Sequence, residues 1–267
     1  MLPLIIEPDE LEKNLGKENI AVVDLSKADV YTQAHIPGAL HLDYPQILLK
    51  KPPVMGLIPD EESFGRVLSE LGINEGSHVI AYDDEGGGKA SRLLWTLYVY
   101  GHKNISLLNG GLHAWMNEGH PSDQNPVQIK KSDYMPKQGA EGAADKNYIL
   151  SKLKDKDSVL LDARSLDEFT GAKKFAEKAG HIPGAVHLEW TAAMDQTRNL
   201  RLKSREELAS MLSERGIVPE KEIIVYCQTH HRSAHTFIML KSLGYENVRG
   251  YAGSWSDWGN SPDTPVE

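Results

Sequence analysis

The 267-residue sequence contains a single cysteine, Cys227. An internal disulfide is therefore excluded, and the fold must hold without a covalent staple. Positive charge is also in short supply. Twenty-nine Lys and Arg face 38 Asp and Glu, a formal net charge of −9. That balance argues against general binding to nucleic acid or to an anionic membrane, so an anionic ligand must be drawn in by a local site. No stretch approaches the ~20 apolar residues of a membrane span. The first ten residues have no basic region and too short an apolar run for a secretory leader, so a cytoplasmic protein with a free thiol is expected. What is present is a globular composition, 40% hydrophobic and 25% charged, over a length that fits two domains.

The chain repeats itself. Ala21-Val22-Val23-Asp24, an apolar strand ending in a carboxylate, returns as Val159-Leu160-Leu161-Asp162. His35-Ile36-Pro37-Gly38-Ala39 returns as His181-Ile182-Pro183-Gly184-Ala185. Charged helical stretches from Asp60 and from Ser204 both run into Gly-Ile pairs, and Trp115 is matched by Trp258. The same order of landmarks in both halves reads as two homologous domains, over residues 1–122 and 146–267, joined by a Pro- and Gly-containing linker over 123–145. Short apolar strands alternating with amphipathic helical stretches predict an α/β fold, each domain a mainly parallel sheet with helices on both faces. His35 and His181 recur where only one half has a cysteine, so they are expected to stabilise a turn rather than to catalyse.

Chemistry concentrates in Cys227-Gln228-Thr229-His230-His231-Arg232-Ser233. A β-branched run, Ile223-Ile224-Val225, precedes it, and a helical stretch follows. A strand end, a tight loop and a helix start gather unpaired backbone N–H groups at one point, on the sheet edge where ligands bind. The helix dipole and Arg232 add positive charge, so Cys227 is expected to be a thiolate nucleophile. Gln228, Thr229, His230, His231, Arg232 and Ser233 are the candidate substrate contacts around it. The corresponding position in the first half is Asp83, in an acidic, glycine-rich loop without a nucleophile, so only the second domain is expected to catalyse. One cysteine beside two adjacent histidines does not match tetrahedral zinc spacing, and no metal or organic cofactor is expected. Asp162 and Arg164 read first as a structural ion pair, while Arg164 and Trp190 are also candidates to line the substrate pocket. Arg232 follows the cysteine in a Cys-x4-Arg pattern. This is one residue shorter than the phosphate-sized loop of cysteine phosphatases, and it suits a single sulfur atom better.

Asp162-Ala163-Arg164, Gly180-His181-Ile182-Pro183-Gly184-Ala185, Val225-Tyr226-Cys227, the loop to Arg232 and Gly250-Tyr251-Ala252-Gly253-Ser254-Trp255 together resemble the tandem-domain rhodanese (thiosulfate sulfurtransferase) family, in its bacterial form. The resemblance covers nearly the whole chain. It implies an enzyme whose cysteine takes the outer sulfur of thiosulfate as a persulfide, releases sulfite, and passes the sulfur to cyanide or another thiophile such as a thiol. Alternatives within this chemistry are a 3-mercaptopyruvate sulfurtransferase and a persulfide carrier serving a protein or small-molecule acceptor. A phosphatase or arsenate reductase on the same fold is the reading outside it. The expected partners are small molecules, for a monomer that binds neither nucleic acid nor membrane. Many tandem sulfurtransferases carry a donor-binding arginine six residues after the strand-end aspartate. That position is Glu168 here, so donor binding must lean on Arg232, His230, His231 or the loop amides.

Overall fold

The computed structural model describes residues 2–139 and 141–267. Residue 140, within the expected linker, and residue 1 lie outside the described residues. The chain forms two compact units. Each is built on a five-stranded sheet, and the two sheets have the same strand order. In the first unit the order is Ile5–Ile6, Ile105–Leu108, His78–Tyr82, Ile20–Asp24 and Leu40–His41. In the second it is Ala143–Ala144, Val248–Tyr251, Glu222–Tyr226, Ser158–Asp162 and Val186–His187. Every neighbouring pair in both sheets runs parallel, as the alternation of strands and helices predicted.

The central strands are almost wholly buried, which is why they read as unbroken apolar runs rather than alternating ones. Both end in a tyrosine at the carboxyl edge. Tyr82 OH accepts from the Ile36 amide at 3.1 Å, and Tyr226 OH accepts from the Ile182 amide at 3.2 Å. The His-Ile-Pro-Gly turn is thereby tied to the strand that leads into each loop. The preceding histidines brace the same turn. Nδ1–H of His35 donates to Tyr31 O, and that of His181 to Phe169 O, with each ring stacked on the aromatic of its carbonyl partner. Trp115 and Trp258 are buried in the two cores, and each donates its indole N–H at 2.7 Å to a proline carbonyl, Pro121 and Pro265. Burying such side chains supplies roughly 1.5–3 kcal/mol apiece.

The units are not contiguous in sequence. The first contains the stretch ending at Leu48, the stretch from Pro59 through most of the expected linker, and Met194–Leu202. The second contains Leu49–Ile58, Glu141–Ala193 and Lys203–Glu267. Leu49–Ile58 holds an antiparallel hairpin, Leu49–Lys51 with Val54–Leu57, although it lies early in the chain. Met194–Leu202 holds the matching hairpin, Met194–Asp195 with Arg201–Leu202. Among the described residues no helix is long and apolar enough to cross a membrane.

Candidate active site

In the second unit, the strand Glu222–Tyr226 delivers Cys227 to the carboxyl edge of the sheet, and the helix Arg232–Ser242 begins five residues later. The loop between them closes tightly because His230 adopts a left-handed backbone, φ 56°. That conformation costs a non-glycine residue energy. His230 is wholly buried, and its Nδ1 lies 2.7 Å from Ser233 Oγ, contacts that hold the bend in place. A second element staples the loop from outside. At the helix Ser254–Trp258, the Trp255 and Ser256 amides donate at 2.9 Å to the carbonyls of Cys227 and Gln228, and Ser254 Oγ accepts from the Cys227 amide.

Cys227 has no exposed surface. Burial pushes its thiol up. The Arg232 guanidinium, the Ser233 hydroxyl and the amides of Ser233 and Thr229 outweigh burial, and the thiol titrates below its ordinary value. The sulfur is thus surrounded by donors aimed at negative charge, the environment that turns a buried thiol into a nucleophile.

Beside the loop lies a cavity of about 590 Å³. Gln228, Thr229 and Arg232 form its inner wall, with Glu168, Ser256 and Asn260. Pro53, Met55, Lys173 and Phe175 complete it. Arg232 donates from both terminal nitrogens to the two carboxylate oxygens of Glu168, at 2.6 and 2.8 Å. Burial pushes the Glu168 carboxyl up, but Arg232 and the Ser165 hydroxyl and amide hold it down at about 2. Glu168 also closes a capping box with Ser165 at the start of its short helix, Leu166–Phe169.

The remaining predicted residues lie elsewhere. Ser233 is buried beside the sulfur, and His231 stands at the N-cap position of the helix Arg232–Ser242. Trp190 packs against the rings of His231 and His235, at 5.8 and 5.5 Å, and does not line the cavity. Burial, with His231 adding to it, lowers His235 to about 4, so this ring is neutral near pH 7. Arg164 is also away from the cavity. Its guanidinium grips Asp162 at 2.6–3.0 Å, donates to Gly180 O and lies 4.4 Å over the Trp255 ring. It is the ion pair that its position at the strand end suggested. Sequence reasoning missed the outer wall. Lys173 and Phe175 had a signal, because 19 positions separate Asp162 from His181 but only 11 separate Asp24 from His35. The second repeat therefore carries an insertion beside its cysteine loop. Pro53 and Met55 had none.

The rhodanese-like domain family matches the chain twice, over residues 7–118 and 145–261. The thiosulfate sulfurtransferase of Azotobacter vinelandii is 45% identical over 273 residues, spanning 100% of this chain and 97% of that protein. The thiosulfate sulfurtransferase of Pseudomonas aeruginosa is 44% identical, with the same coverage. The solved structure of an anaerobic ergothioneine biosynthesis enzyme from Chlorobium limicola shares the fold, with a TM-score of 0.88 and 22% identity, over 99% of this chain and 70% of that one. The chain belongs to the rhodanese-like domain family, with one such domain in each half.

Proposed function

We propose that this protein is a thiosulfate:cyanide sulfurtransferase working through a persulfide on Cys227. The observation that carries the reading is the set of donors converging on one buried sulfur, from the Thr229 and Ser233 amides, the Ser233 hydroxyl and the adjacent Arg232 charge. The full-length likeness to two thiosulfate sulfurtransferases supports the choice of donor.

The cycle has two displacements at sulfur. The Cys227 thiolate attacks the outer sulfur of thiosulfate. A new S–S bond forms, the old one breaks, and its electron pair leaves with sulfite. The terminal persulfide sulfur inherits the negative charge, and the amides that held the thiolate hold it as well. Cyanide carbon then attacks that sulfur, the cysteinyl S–S bond breaks, thiocyanate departs and the thiolate returns. Atoms and electrons balance with no redox co-reactant. Catalysis falls to the repeat over 146–267. The repeat over 1–122, with the linker 123–145, is non-catalytic, since Asp83 stands at the nucleophile position. The same reading takes the protein as a cytoplasmic monomer with a free thiol.

Intact mass spectrometry tests it. After thiosulfate treatment the protein gains one sulfur atom, and cyanide removes that atom as thiocyanate. A wild-type protein that gains no mass, or a Cys227→Ala variant that turns over at the wild-type rate, overturns the proposal.

A further inference from the structure

The reaction brings an anionic donor to an anionic nucleophile, so the cavity needs a cation that the donor can reach. Two basic side chains are on its wall, Arg232 and Lys173. Arg232 is committed. Its two terminal nitrogens are taken by the two oxygens of Glu168, and Glu168 is itself fixed by Ser165 Oγ at 2.9 Å and buried to 4% exposure. A fork-on-fork pair of this kind is close to neutral as a unit, and a second anion approaching the remaining N–H groups meets the Glu168 carboxylate beside them. The Arg232 charge still bears on the Cys227 sulfur, so it serves the nucleophile.

Lys173 is placed differently. Among the described residues its ammonium has no carboxylate partner, and its neighbour is the Phe175 ring, 5.0 Å from ring centre to Nζ. An aromatic face steadies a cation without neutralising it. The segment is anchored at two points. The Lys173 amide donates to Asp167 O at 2.8 Å, and Phe175 O accepts from Gln228 Nε2 at 3.3 Å. The second bond ties the segment to the residue that follows the nucleophile. A compact, hydrated ammonium on the cavity rim suits the oxygens of a sulfonate.

We propose that Glu168 withholds Arg232 from the donor, and that Lys173 takes up the donor's anionic end. This rests on the sulfurtransferase reading. It makes Lys173 a donor-binding residue and Glu168 the residue that sets where the anion is held.

Steady-state kinetics with thiosulfate and cyanide test the inference in four variants: Lys173→Met, Lys173→Arg, Glu168→Gln and the double variant Lys173→Met with Glu168→Gln. Gln keeps the capping box with Ser165, so the local helix start survives. Lys173→Met raises KM for thiosulfate about fivefold, the scale of one solvent-exposed charge contact. It leaves kcat within twofold and flattens the salt dependence of kcat/KM, and Lys173→Arg restores both. Glu168→Gln frees Arg232, lowers KM, and removes the effect of Lys173→Met in the double variant. An unchanged KM in Lys173→Met, or a raised KM in Glu168→Gln, overturns the inference. The pH profile of Cys227 alkylation stays unchanged in Lys173→Met, and a shifted profile would assign Lys173 to the thiol instead. Sulfur loading of the wild type by intact mass separates the two levels. No loading sinks the function itself, whereas loading with an unchanged Lys173→Met KM sinks only this inference.

Discussion

The Cys227 loop and the Asp83 loop are the same backbone device holding two different anions. Each follows a buried central strand, and each helix begins five residues after the key position, at Arg232 and at Gly88. In each, the amide two residues on points back at that position, from Thr229 to the sulfur and from Glu85 to Asp83 Oδ1 at 3.0 Å. In each, the third residue is left-handed, His230 at φ 56° and Gly86 at φ 97°. Gly87 and Ala90 complete the Asp83 cradle at 2.8 and 2.9 Å. The amide cradle is thus a property of the fold. On the proposed function, reactivity comes from what is added to it: a polarisable sulfur at the centre, an arginine at the helix start, and a cavity beside it. The first loop fills its cradle with a fixed carboxylate and has Gly88 where the second has Arg232.

The largest expected effect tests which loop does the work. Cys227→Ser should cut thiocyanate production by about 10³-fold or more, while Asp83→Asn leaves it within twofold, both read by steady-state assay. Loss of activity in Asp83→Asn without loss of folding would break the contrast. Next in size is acid stability. Glu168 titrates at about 2 in the folded protein, against an ordinary value of 4.5. Its folded pKa is depressed, so the stability it gives is present above about pH 4.5 and is lost as pH falls toward 2. A gap of that size is on the order of 3 kcal/mol. Urea unfolding between pH 7 and 2 should show this loss in wild type and not in Glu168→Gln. Asp83 pulls the other way. Burial and then the neighbouring Glu85 raise its carboxyl, so the cost of keeping it ionised is relieved on acidification.

A third test concerns the hairpin over the Cys227 loop. A Cβ on Gly56 would stand 2.2 Å from the carbonyl oxygen of Thr229. That neighbour is backbone, within the loop that cradles the sulfur, and cannot swing aside. Gly56→Ala should cost about 1–3 kcal/mol in thermal unfolding and lower turnover, and an unperturbed variant would show that the hairpin does not brace the loop. The smallest effect is the most diagnostic. Asp83→Cys places a thiol in the first unit's cradle, with Gly88 where the second has Arg232. Such a protein should still gain only one sulfur from thiosulfate, and a gain of two would show that the amides alone arm a thiol.

Much of this was legible from local pattern. Buried parallel strands read as apolar runs, so Ile223-Ile224-Val225 placed Cys227 at the ligand edge. The repeated Asp, His-Ile-Pro-Gly and Trp landmarks read as a duplication because each makes the same hydrogen bond or packs in the same core twice. Other features were not legible, because they depend on distant partners. The Glu168–Arg232 pair joins residues 64 positions apart, and sequence alone left Arg232 available to the donor. Two adjacent histidines look equivalent in sequence. Only the left-handed turn separates His230, buried on Ser233, from His231, packed on Trp190. Trp190 itself reads as a pocket residue but packs on the rings of His231 and His235.

The hairpin Leu49–Ile58 also has a consequence in time. Its anchoring bond, from the Met55 amide to Ser256 Oγ, spans 201 residues of sequence. A ribosome adding about 5–20 residues per second needs roughly 10–40 seconds to cover that distance. For that interval the early half of the chain exists with Met55 and Gly56 in hand and nothing for them to rest on. The hairpin's part of the cavity wall gains this anchor only when the helix Ser254–Trp258 emerges, so an early piece of the site is seated by one made much later.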